Sequence, residues 1–265
     1  MQIQVRNPKY HLLLSLAFFF LAASGCRSNS DTWERIEEDG VLRVGLDPTY
    51  PPFGVADEST VYGLDVDLAN ALADELGLHS EFVYFGYDGL YDALATEQVD
   101  VLVSALVVVP GRMRDFAYSE PYFNAGEILI TPAGGDEISG MADLQGRLLA
   151  VELGAQGHVE GMQWENRLAD LMIQPYGSAE EALAAVSTGQ ADAALVDHIS
   201  GRLYLSEQGS DQHMLQMISP PVTVEPYALV VRIEDETLLE KIDEALNSLT
   251  ATGKLDQIIS RWLGG

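Results

Sequence analysis

The segment of residues 63–76 constrains the fold of this chain more than any other stretch. It reads Gly-Leu-Asp-Val-Asp-Leu-Ala-Asn-Ala-Leu-Ala-Asp-Glu-Leu, and its leucines recur every four residues, which places them on one face of a helix. Asp65 is placed to accept hydrogen bonds from the free amides of the first turn, and Asp67 adds negative charge at the positive end of the helix dipole. The pattern predicts an amphipathic helix over residues 65–76, with its apolar face buried.

Strand-like and helix-like segments alternate along the rest of the chain. We expect strands over residues 42–46, 81–85, 99–103, 128–131, 148–151, 192–196 and 227–231. We expect helices over residues 32–38, 65–76, 89–96, 180–187, 199–206, 236–249 and 254–263. This alternation predicts an α/β fold with mostly parallel strands.

A faint internal repeat indicates two lobes. Residues 93–100 parallel residues 185–192, because both stretches contain the end of a helix, a tight turn and an apolar strand. At the same offset, Ala105 corresponds to Asp197, and each lies just past its strand. Ligands of open α/β sheets bind outside the carboxyl ends of the strands. We therefore expect each lobe to present one binding loop to a shared cleft.

The N-terminus is typical of an export signal. Arg6 and Lys9 precede an apolar stretch at residues 12–23, which is shorter than the about 20 residues needed to span a bilayer. The stretch leads into Ala23-Ser24-Gly25-Cys26, which resembles a lipobox. We expect residues 1–25 to be a lipoprotein signal peptide.

Cys26 is the only cysteine of the chain and is the predicted lipidation site. The lipobox departs from the usual pattern at Ala23, where leucine is more common, and the alternative is an ordinary secretory signal followed by a free thiol. In either case the protein is exported and cannot form an internal disulfide. Residues 26–31 are polar and would serve as a tether.

The charge of the chain is strongly acidic. Asp and Glu number 41 against 14 Lys and Arg, a net charge of −27, and removal of two basic residues with the signal gives 12 − 41 = −29. Such a surface disfavours nucleic acid as a partner and offers no polybasic patch for anionic lipids. Adaptation to salt is the favoured explanation, and mild steering of cationic solutes is the alternative.

Four segments together resemble the family 3 bacterial extracellular solute-binding proteins, the receptors of polar amino-acid ABC transporters. They are residues 45–53 (Gly-Leu-Asp-Pro-Thr-Tyr-Pro-Pro-Phe), 63–76, 103–112 (Val-Ser-Ala-Leu-Val-Val-Val-Pro-Gly-Arg) and 117–122 (Ala-Tyr-Ser-Glu-Pro-Tyr). The resemblance extends over about residues 33–264. It implies a two-lobed, periplasmic-binding-protein-like (type II) fold with a two-strand hinge.

The resemblance also implies an order of parts along the chain. The first part of lobe 1 would comprise residues 32–123, followed by a hinge at 124–132 and lobe 2 at 133–221. Residues 222–265 would form the return hinge strand and the C-terminal helices of lobe 1.

In the family, the loop that contains Ser104, Ala105 and Val107 binds the ligand carboxylate. Arg112 would bind the same group through two parallel donors, whereas the alternative for this arginine is a surface or structural ion pair. The loop departs from the family pattern at Val107 and Val109, where hydroxyl residues are common. Each lost hydrogen bond would cost about 1 kcal/mol.

Lobe 2 would complete the site. Asp197 lies where the family places the carboxylate that receives the ligand's α-ammonium, and the alternative is a cap for the helix beginning near Ile199. Gln156 belongs to a glycine-rich loop at residues 154–157 that would lie opposite Arg112.

Side-chain preference would be set by aromatic and acidic residues. Tyr50 and Tyr87 align with the two aromatic positions that flank the ligand side chain, and Phe53 is expected in the wall or the core. Acids at both Asp47 and Glu152 favour a cationic side chain, such as that of arginine, lysine or ornithine. The alternative is that Glu152 pairs with an arginine of the protein.

The resemblance implies a function in transport rather than catalysis. The protein would capture an amino acid and deliver it to an ABC permease, as a monomer held at the membrane only by its lipid anchor, with no cofactor or metal. One alternative is a cyclohexadienyl dehydratase-like enzyme, with Arg112 as carboxylate clamp and Glu152 as proton donor. A sensory ligand-binding domain is a third alternative, although no transmembrane segment or signalling domain follows Gly265.

Overall fold

Two lobes, each built on a five-stranded sheet, make up the described part of the chain. The computed structural model describes residues 31–134, 138–207 and 214–264. The two-lobed α/β architecture expected from the sequence is confirmed. The predicted signal peptide, Cys26 and all but the last residue of the tether lie outside the described residues.

The helices are distributed over both lobes. They are α1 (Thr32–Asp39), α2 (Leu64–Glu75), α3 (Leu90–Ala95), α4 (Gln156–Glu165), α5 (Ala179–Ser187), α6 (His198–Glu207), α7 (Glu236–Ala251) and α8 (Lys254–Leu263).

The strands are mostly short. They are β1 (Val41–Leu46), β2 (Thr49–Tyr50), β3 (Gly54–Ala56), β4 (Val61–Tyr62), β5 (His79–Tyr84), β6 (Val101–Leu102), β7 (Phe116–Tyr118), β8 (Phe123–Asn124), β9 (Glu127–Pro132), β10 (Leu148–Glu152), β11 (Met172–Tyr176), β12 (Ala193–Asp197), β13 (Leu215–Ile218), β14 (Pro226–Tyr227) and β15 (Val230–Arg232).

The two main sheets have the same topology. The strand order is β5-β1-β6-β15-β7 in lobe 1 and β11-β10-β12-β9-β13 in lobe 2. In each sheet the first three strands pair in parallel, and the fourth runs antiparallel to both of its neighbours. The prediction of mostly parallel strands is therefore confirmed, with one reversed strand in each lobe.

Buried apolar side chains cover both faces of each main sheet. In lobe 1, Val101 and Leu102 contribute to different core clusters, and in lobe 2 Leu149 and Ala150 do the same. Successive strand residues point to opposite faces, so a strand covered on both faces is apolar throughout. This is why the central strands were recognisable as apolar runs in the sequence.

The internal repeat appears as two matched turns. Thr96 ends one helix by donating from Oγ1 to the carbonyl four residues earlier at 2.7 Å, and Thr188 makes the same bond at 2.8 Å. The next residue is left-handed in both turns, with φ of 59° at Glu97 and 74° at Gly189. The turns lead into β6 and β12, the equivalent strands of the two sheets.

The two crossings between the lobes lie side by side. β8 pairs antiparallel with β14, and the Oδ1 atom of Asn124 accepts hydrogen bonds from the amides of Gly126 at 3.0 Å and Glu225 at 2.8 Å. A Cβ atom on Gly126 would lie 2.2 Å from the Thr223 carbonyl oxygen, so the close approach requires glycine. The boundaries proposed for the lobes stay a prediction.

The start of helix α2 differs from the sequence prediction. It begins at Leu64, Gly63 occupies the N-cap position, and no side chain caps it. The expectation that Asp65 bonds to the first-turn amides is wrong, because its carboxyl group is buried and accepts a hydrogen bond from the Tyr122 hydroxyl at 2.7 Å.

Several elements were absent from the sequence prediction. β7, β11 and β13 lie at sheet edges, and α4 contains two glycines within a weakly apolar pattern. The strand predicted over residues 227–231 is divided between β14 and β15.

Candidate functional site

A cavity of about 340 Å³ opens in lobe 1 beside the carboxyl ends of β1 and β6. It is lined by Asp47, Thr49, Tyr50, Tyr87, Ser104, Ala105, Val107 and Tyr227. Apart from Thr49 and Tyr227, every one of these is a residue that the sequence predicts to bind ligand. The position agrees with the general rule that α/β sheets bind ligands beyond the carboxyl ends of their strands.

Asp47 is fixed at the wall of this cavity by local hydrogen bonds. Its side chain accepts from the Thr49 amide at 3.0 Å and from the Thr49 hydroxyl at 2.7 Å. Its own amide donates to the Ser104 hydroxyl oxygen at 3.0 Å, which ties the loop after β1 to the loop after β6. Asp47 is 7% exposed, so its carboxyl group offers a largely desolvated acceptor to a ligand.

Aromatic side chains form the other walls. The Tyr50 ring stacks on Phe53 with centroids 5.4 Å apart, and the Tyr50 hydroxyl lies 3.4 Å from that of Tyr227. Burial raises the pKa of Tyr227, and the hydrogen bond with Tyr50 adds to the effect. Tyr87 is exposed, whereas Phe53 is fully buried and belongs to the core rather than to the wall.

A buried chain of hydrogen bonds supports the loop that contains Ala105. The Ala105 amide donates to the Tyr122 hydroxyl oxygen at 3.2 Å, and that hydroxyl donates to Asp65 Oδ1 at 2.7 Å. Ala105 has a left-handed conformation, with φ of 47°. Burial raises the pKa of Asp65 to about 7 and also raises the pKa of Tyr122. Asp65 and Tyr122 therefore hold the backbone of the predicted carboxylate-binding loop in place.

Arg112 lies outside the lining of the cavity. It ends a short 3₁₀ turn, Pro110–Arg112, and its guanidinium lies 3.9 Å from the centre of the Tyr91 ring, a cation–π contact. Tyr91 is on α3, one turn after Tyr87, which is in the lining. Among the described residues no carboxylate pairs with Arg112, so the alternative of an ion pair is not realised there.

A second cavity, of about 350 Å³, lies in lobe 2 and includes Glu152 at the end of β10. Ser178, Glu180, Ser200 and Glu207 are among its polar lining residues. Within the described part of the chain, Glu152 forms no ion pair with an arginine.

The lobe 2 loop places Gln156 at the first position of α4, where its side chain is exposed. Gln156 lines neither the lobe 1 cavity nor the lobe 2 cavity.

Asp197 joins the end of β12 to the start of α6. Its Oδ1 atom accepts a hydrogen bond from the Ser200 amide at 2.8 Å, which is the geometry of a helix cap. The capping role that the sequence left open is therefore present. The carboxylate remains half-buried at the carboxyl end of the strand.

Glu127 is a residue of this region that the sequence reading missed. It is the first residue of β9 and is paired directly with Asp197 in the antiparallel register. It is 5% exposed, and burial together with the charge of Asp197 raises its pKa to about 7. The available signal was an acid placed between Gly126 and the apolar run at residues 128–130.

Metal-binding clusters and membrane-spanning helices are both absent from the described residues. Over residues 31–134, 138–207 and 214–264, no group of three or more His, Cys, Asp or Glu side chains is arranged to hold a metal ion. In the same ranges, no helix combines the length and the hydropathy needed to cross a membrane.

Comparison with known families agrees with the two-lobed architecture. The model of the bacterial extracellular solute-binding proteins, family 3, matches residues 42–265. The chain belongs to this family. Its members are extracellular solute-binding proteins. The two cavities described above, one in each lobe and beside strand ends, are consistent with binding of a solute.

Curated relatives of this solute-binding protein are similar over most of their length. The arginine-binding extracellular protein ArtP of Bacillus subtilis is 24% identical over 97% of this chain and 98% of its own. The L-arginine-binding protein of Pseudomonas aeruginosa is 26% identical over 84% of this chain and 88% of its own. The L-cystine-binding protein TcyJ of Escherichia coli is 25% identical over 87% of this chain and 85% of its own.

Solved structures support the type II fold. The L-cystine solute receptor of Neisseria gonorrhoeae, unliganded and open, has a TM-score of 0.75 at 25% identity and covers 88% of this chain and 97% of its own. An ancestral cationic amino acid solute-binding protein has a TM-score of 0.62 at 30% identity, with coverage of 88% and 99%. An ancestral cyclohexadienyl dehydratase, at 24% identity, a TM-score of 0.74 and coverage of 88% and 97%, shares the fold. The predicted periplasmic-binding-protein-like fold is confirmed.

Proposed function

We propose that this protein is the solute-binding component of an ABC importer and that it captures a polar or basic amino acid. The observation that carries the proposal is the lobe 1 cavity. There a desolvated Asp47 and three tyrosines converge beside the loop of Ser104 and Ala105, in a chain that belongs to a solute-binding family. The named arginine- and cystine-binding relatives support an amino acid as the solute.

The acids of the site favour a ligand with a basic side chain. Asp47 lies in the lobe 1 cavity and Glu152 in the lobe 2 cavity, so both lobes offer a carboxylate. Aromatic faces bind cations and apolar stems alike, which suits the exposed Tyr50 and Tyr87. Arginine, lysine and ornithine are the expected solutes.

Hinge closure would complete the site. Arg112, the Ala105 loop and the tyrosines would approach Asp197, Glu152 and Gln156 across the cleft, with motion at the paired strands β8 and β14. The ligand would favour the closed state because it contacts both lobes only there. The ABC permease would then receive the solute from the closed form.

The cellular setting follows from the N-terminal sequence. The protein would be exported, lipidated at Cys26, and held as a monomer at the outer face of the membrane by that anchor and the tether.

The substitution Cys26→Ser is expected to release the protein from the membrane fraction in a fractionation assay, because it removes the thiol that would carry the lipid.

A calorimetric titration tests the amino-acid proposal. The chain lacking residues 1–26 is unfolded and refolded to remove carried-over solute, then titrated with the common amino acids, ornithine, polyamines and prephenate. We expect micromolar or tighter binding of a basic amino acid and its loss in Arg112→Ala, because the ligand carboxylate would lose its bidentate partner. The matched control is Arg114→Ala, since the Arg114 side chain is 87% exposed and its only ion-pair partner among the described residues is Asp115.

Two results would contradict parts of the proposal. Absence of binding across all amino acids would reject an amino acid as the solute. Equal affinity of Glu152→Gln and the parent chain for arginine would reject the role of Glu152 in side-chain preference.

A catalytic function on the same fold is the alternative. The reason to test it is that an ancestral cyclohexadienyl dehydratase shares the fold. In such an enzyme Arg112 would hold the substrate carboxylate and Glu152 would donate a proton. Turnover of prephenate, followed by the loss of its absorbance, would support the enzyme and reject a purely binding role.

A further inference from the structure

The side chain of Arg112 is exposed, yet it rests on one defined group. Its guanidinium carbon lies 3.9 Å from the centre of the Tyr91 ring, which is a close cation–π contact. Among the described residues the guanidinium has neither a carboxylate partner nor a hydrogen-bond acceptor, whereas the neighbouring Arg114 pairs with Asp115. The Tyr91 ring is therefore the group that orients Arg112, and the N–H donors of the guanidinium stay available for a ligand.

The backbone of Arg112 is held as well. Arg112 ends the 3₁₀ turn Pro110–Arg112, and its amide donates to the Val109 carbonyl oxygen at 2.9 Å. Its carbonyl oxygen accepts from the Asp115 amide at 3.0 Å. The freedom that remains to Arg112 is in its side-chain torsions, and a long arginine side chain loses much rotamer entropy when a ligand immobilises it.

Tyr91 gives the arginine a rigid support, because it belongs to the core of lobe 1. It is 6% exposed and packs edge-to-face against Phe116, with ring centroids 5.0 Å apart. Its hydroxyl lies 3.1 Å from that of Tyr118 on the edge strand β7. Burial raises the pKa of the Tyr91 hydroxyl, and the hydrogen bond with Tyr118 adds to the effect, so the ring is neutral at physiological pH. The guanidinium thus rests on a fixed and neutral aromatic face.

Both partners of this contact adjoin the lobe 1 cavity without lining it. Tyr91 follows the lining residue Tyr87 by four residues, and Arg112 follows the lining residue Val107 by five. The contact therefore joins the two segments of the chain that border the cavity here, helix α3 and the loop after β6. A guanidinium held at this point stays beside the cavity instead of ranging through solvent.

We propose that Tyr91 is the positioning residue for the predicted carboxylate-binding arginine, and that its ring holds Arg112 beside the cavity both in the free protein and in the complex. This inference rests on the proposed function, because it assigns a role in the selection of solutes that carry a carboxylate. Tyr91 itself touches no solute. By restricting the guanidinium beforehand it reduces the entropy that Arg112 loses on binding, which favours a carboxylate solute over an amine that lacks one.

The first test compares two solutes that differ by a carboxylate. L-arginine and agmatine, which is arginine without its carboxylate, are titrated calorimetrically into the full exported chain. We expect Tyr91→Leu to weaken binding of L-arginine about threefold, equivalent to about 0.7 kcal/mol at about 1.4 kcal/mol per tenfold, and to leave agmatine unchanged. A merely structural loss at this buried position would change the affinity for both solutes alike.

The conservative variant Tyr91→Phe is the matched control. It keeps the aromatic face and removes only the hydroxyl that bonds with Tyr118, so it should bind both solutes as the parent chain does. Tyr118→Phe removes the other hydroxyl of the pair and should also bind normally. A threefold loss of L-arginine affinity in Tyr91→Phe would contradict the proposal, because the ring under Arg112 is intact in that variant.

A second measurement needs no substitution of the buried ring, so it decides the case in which Tyr91→Leu does not fold or agmatine does not bind. The Nε–H signal of Arg112 is recorded by NMR in the parent chain, with and without saturating L-arginine, and is assigned by its absence in Arg112→Lys. Protons above an aromatic face are shifted upfield, so we expect an upfield signal in both states. An ordinary position in the free protein, or loss of the upfield shift on binding, would overturn the positioning role.

The outcomes distinguish this inference from the proposed function. If no amino acid binds, but prephenate binds and is weakened by Tyr91→Leu, the amino-acid function fails and the positioning role stands. If L-arginine binds and the ratio of its affinity to that of agmatine is the same in Tyr91→Leu and the parent, the function stands and the positioning role fails. If no solute with a carboxylate binds, both are rejected.

Discussion

Asp65 illustrates how a single residue serves the site without touching it. It is fully buried in lobe 1, and the Tyr122 hydroxyl donates to it at 2.7 Å. Among the described residues its second oxygen, Oδ2, has no partner. The Tyr122 hydroxyl oxygen in turn accepts a hydrogen bond from the Ala105 amide. The conformation of the loop at the cavity therefore depends on the buried carboxyl group of Asp65. Asp65 is a positioning residue for the predicted carboxylate-binding loop.

The ionisation of Asp65 should affect the stability of the fold. Its pKa is raised from 3.8 to about 7 by burial, so the folded state prefers the protonated form. The stabilisation is complete below about pH 4 and is lost as the pH rises through about 7. The change Asp65→Asn should remove this loss and stabilise the protein at pH 8 by about 2 kcal/mol. This is below the about 4 kcal/mol that the full shift from 3.8 to about 7 implies at about 1.4 kcal/mol per pKa unit.

The measurement is the free energy of unfolding in urea between pH 4 and pH 8, taken as the difference between variant and parent. Asp74→Asn is a suitable control, because Asp74 lies on the same helix and is exposed. A difference between Asp65→Asn and the parent that does not change with pH would contradict the role assigned to this carboxyl group.

At the scale of elements, the junction between β12 and α6 has two functions to fulfil. Asp197 is the last residue of the strand, and its Oδ1 atom caps the helix through the Ser200 amide. The same carboxylate is proposed to bind the ligand ammonium. A cap needs only an acceptor oxygen, whereas an ammonium subsite needs negative charge.

Two substitutions separate these functions. Asp197→Asn keeps an acceptor for the cap and should change stability by less than about 0.5 kcal/mol, while it weakens binding of L-arginine more than tenfold. Asp197→Ala should lose binding and also about 1 kcal/mol of stability. Calorimetry and urea unfolding measure the two effects.

A cap in the other lobe provides the control. Asp31 accepts from the Trp33 amide at 3.2 Å at the start of α1, far from the proposed site in sequence, so Asp31→Ala should lower stability and leave binding intact. Normal binding of L-arginine by Asp197→Asn would mean that Asp197 is only a cap.

At the scale of the whole molecule, charge is the distinguishing property. The chain carries 41 acidic and 14 basic residues, a net charge of −27. Ion pairs compensate little of this charge, since several of them are exposed, such as Arg114–Asp115 and Lys241–Glu244. Self-repulsion of the acidic surface should therefore oppose folding at low ionic strength.

We expect the midpoint of thermal unfolding to rise with NaCl, mostly between about 0.01 M and about 0.3 M, because the Debye length falls from about 30 Å to below about 10 Å in that range. Scanning calorimetry over a salt series measures the effect, with sucrose of matched osmolality as the control. A flat profile would show that the charge has little effect on stability, and a rise confined to molar salt would indicate exclusion of salt rather than screening.

Local patterns in the sequence predicted much of the secondary structure. The helix expected over residues 254–263 coincides with α8, and the central strands were visible as apolar runs because both faces of each sheet are covered. Edge strands such as Phe116–Tyr118 were missed, because an edge is partly exposed and its sequence lacks a continuous apolar pattern. Helix Gln156–Glu165 was missed because its two glycines weaken the helical signal.

The residues of the candidate site also fall into a group that the sequence predicted and a group that it did not. The family resemblance in the sequence indicated Asp47, Tyr50, Tyr87 and the loop after β6, and the structure places them on one cavity. The supporting role of Asp65 depends on Tyr122, which is distant in sequence. The pairing of Glu127 with Asp197 depends on the antiparallel register of two strands that no local pattern specifies.

The sequence by itself thus determined the secondary-structure types of the central elements, the two-lobe repeat, the family and the acidic character. Each of these properties depends only on residues that are close together in the chain or on the overall composition. Only the tertiary structure decided which distant side chains meet. Burial of Asp65 beneath a loop, and of Glu127 beside Asp197 and Gly157, results from packing and strand register. Such contacts join residues that are far apart in the chain, and desolvation then sets their charge state and their chemistry.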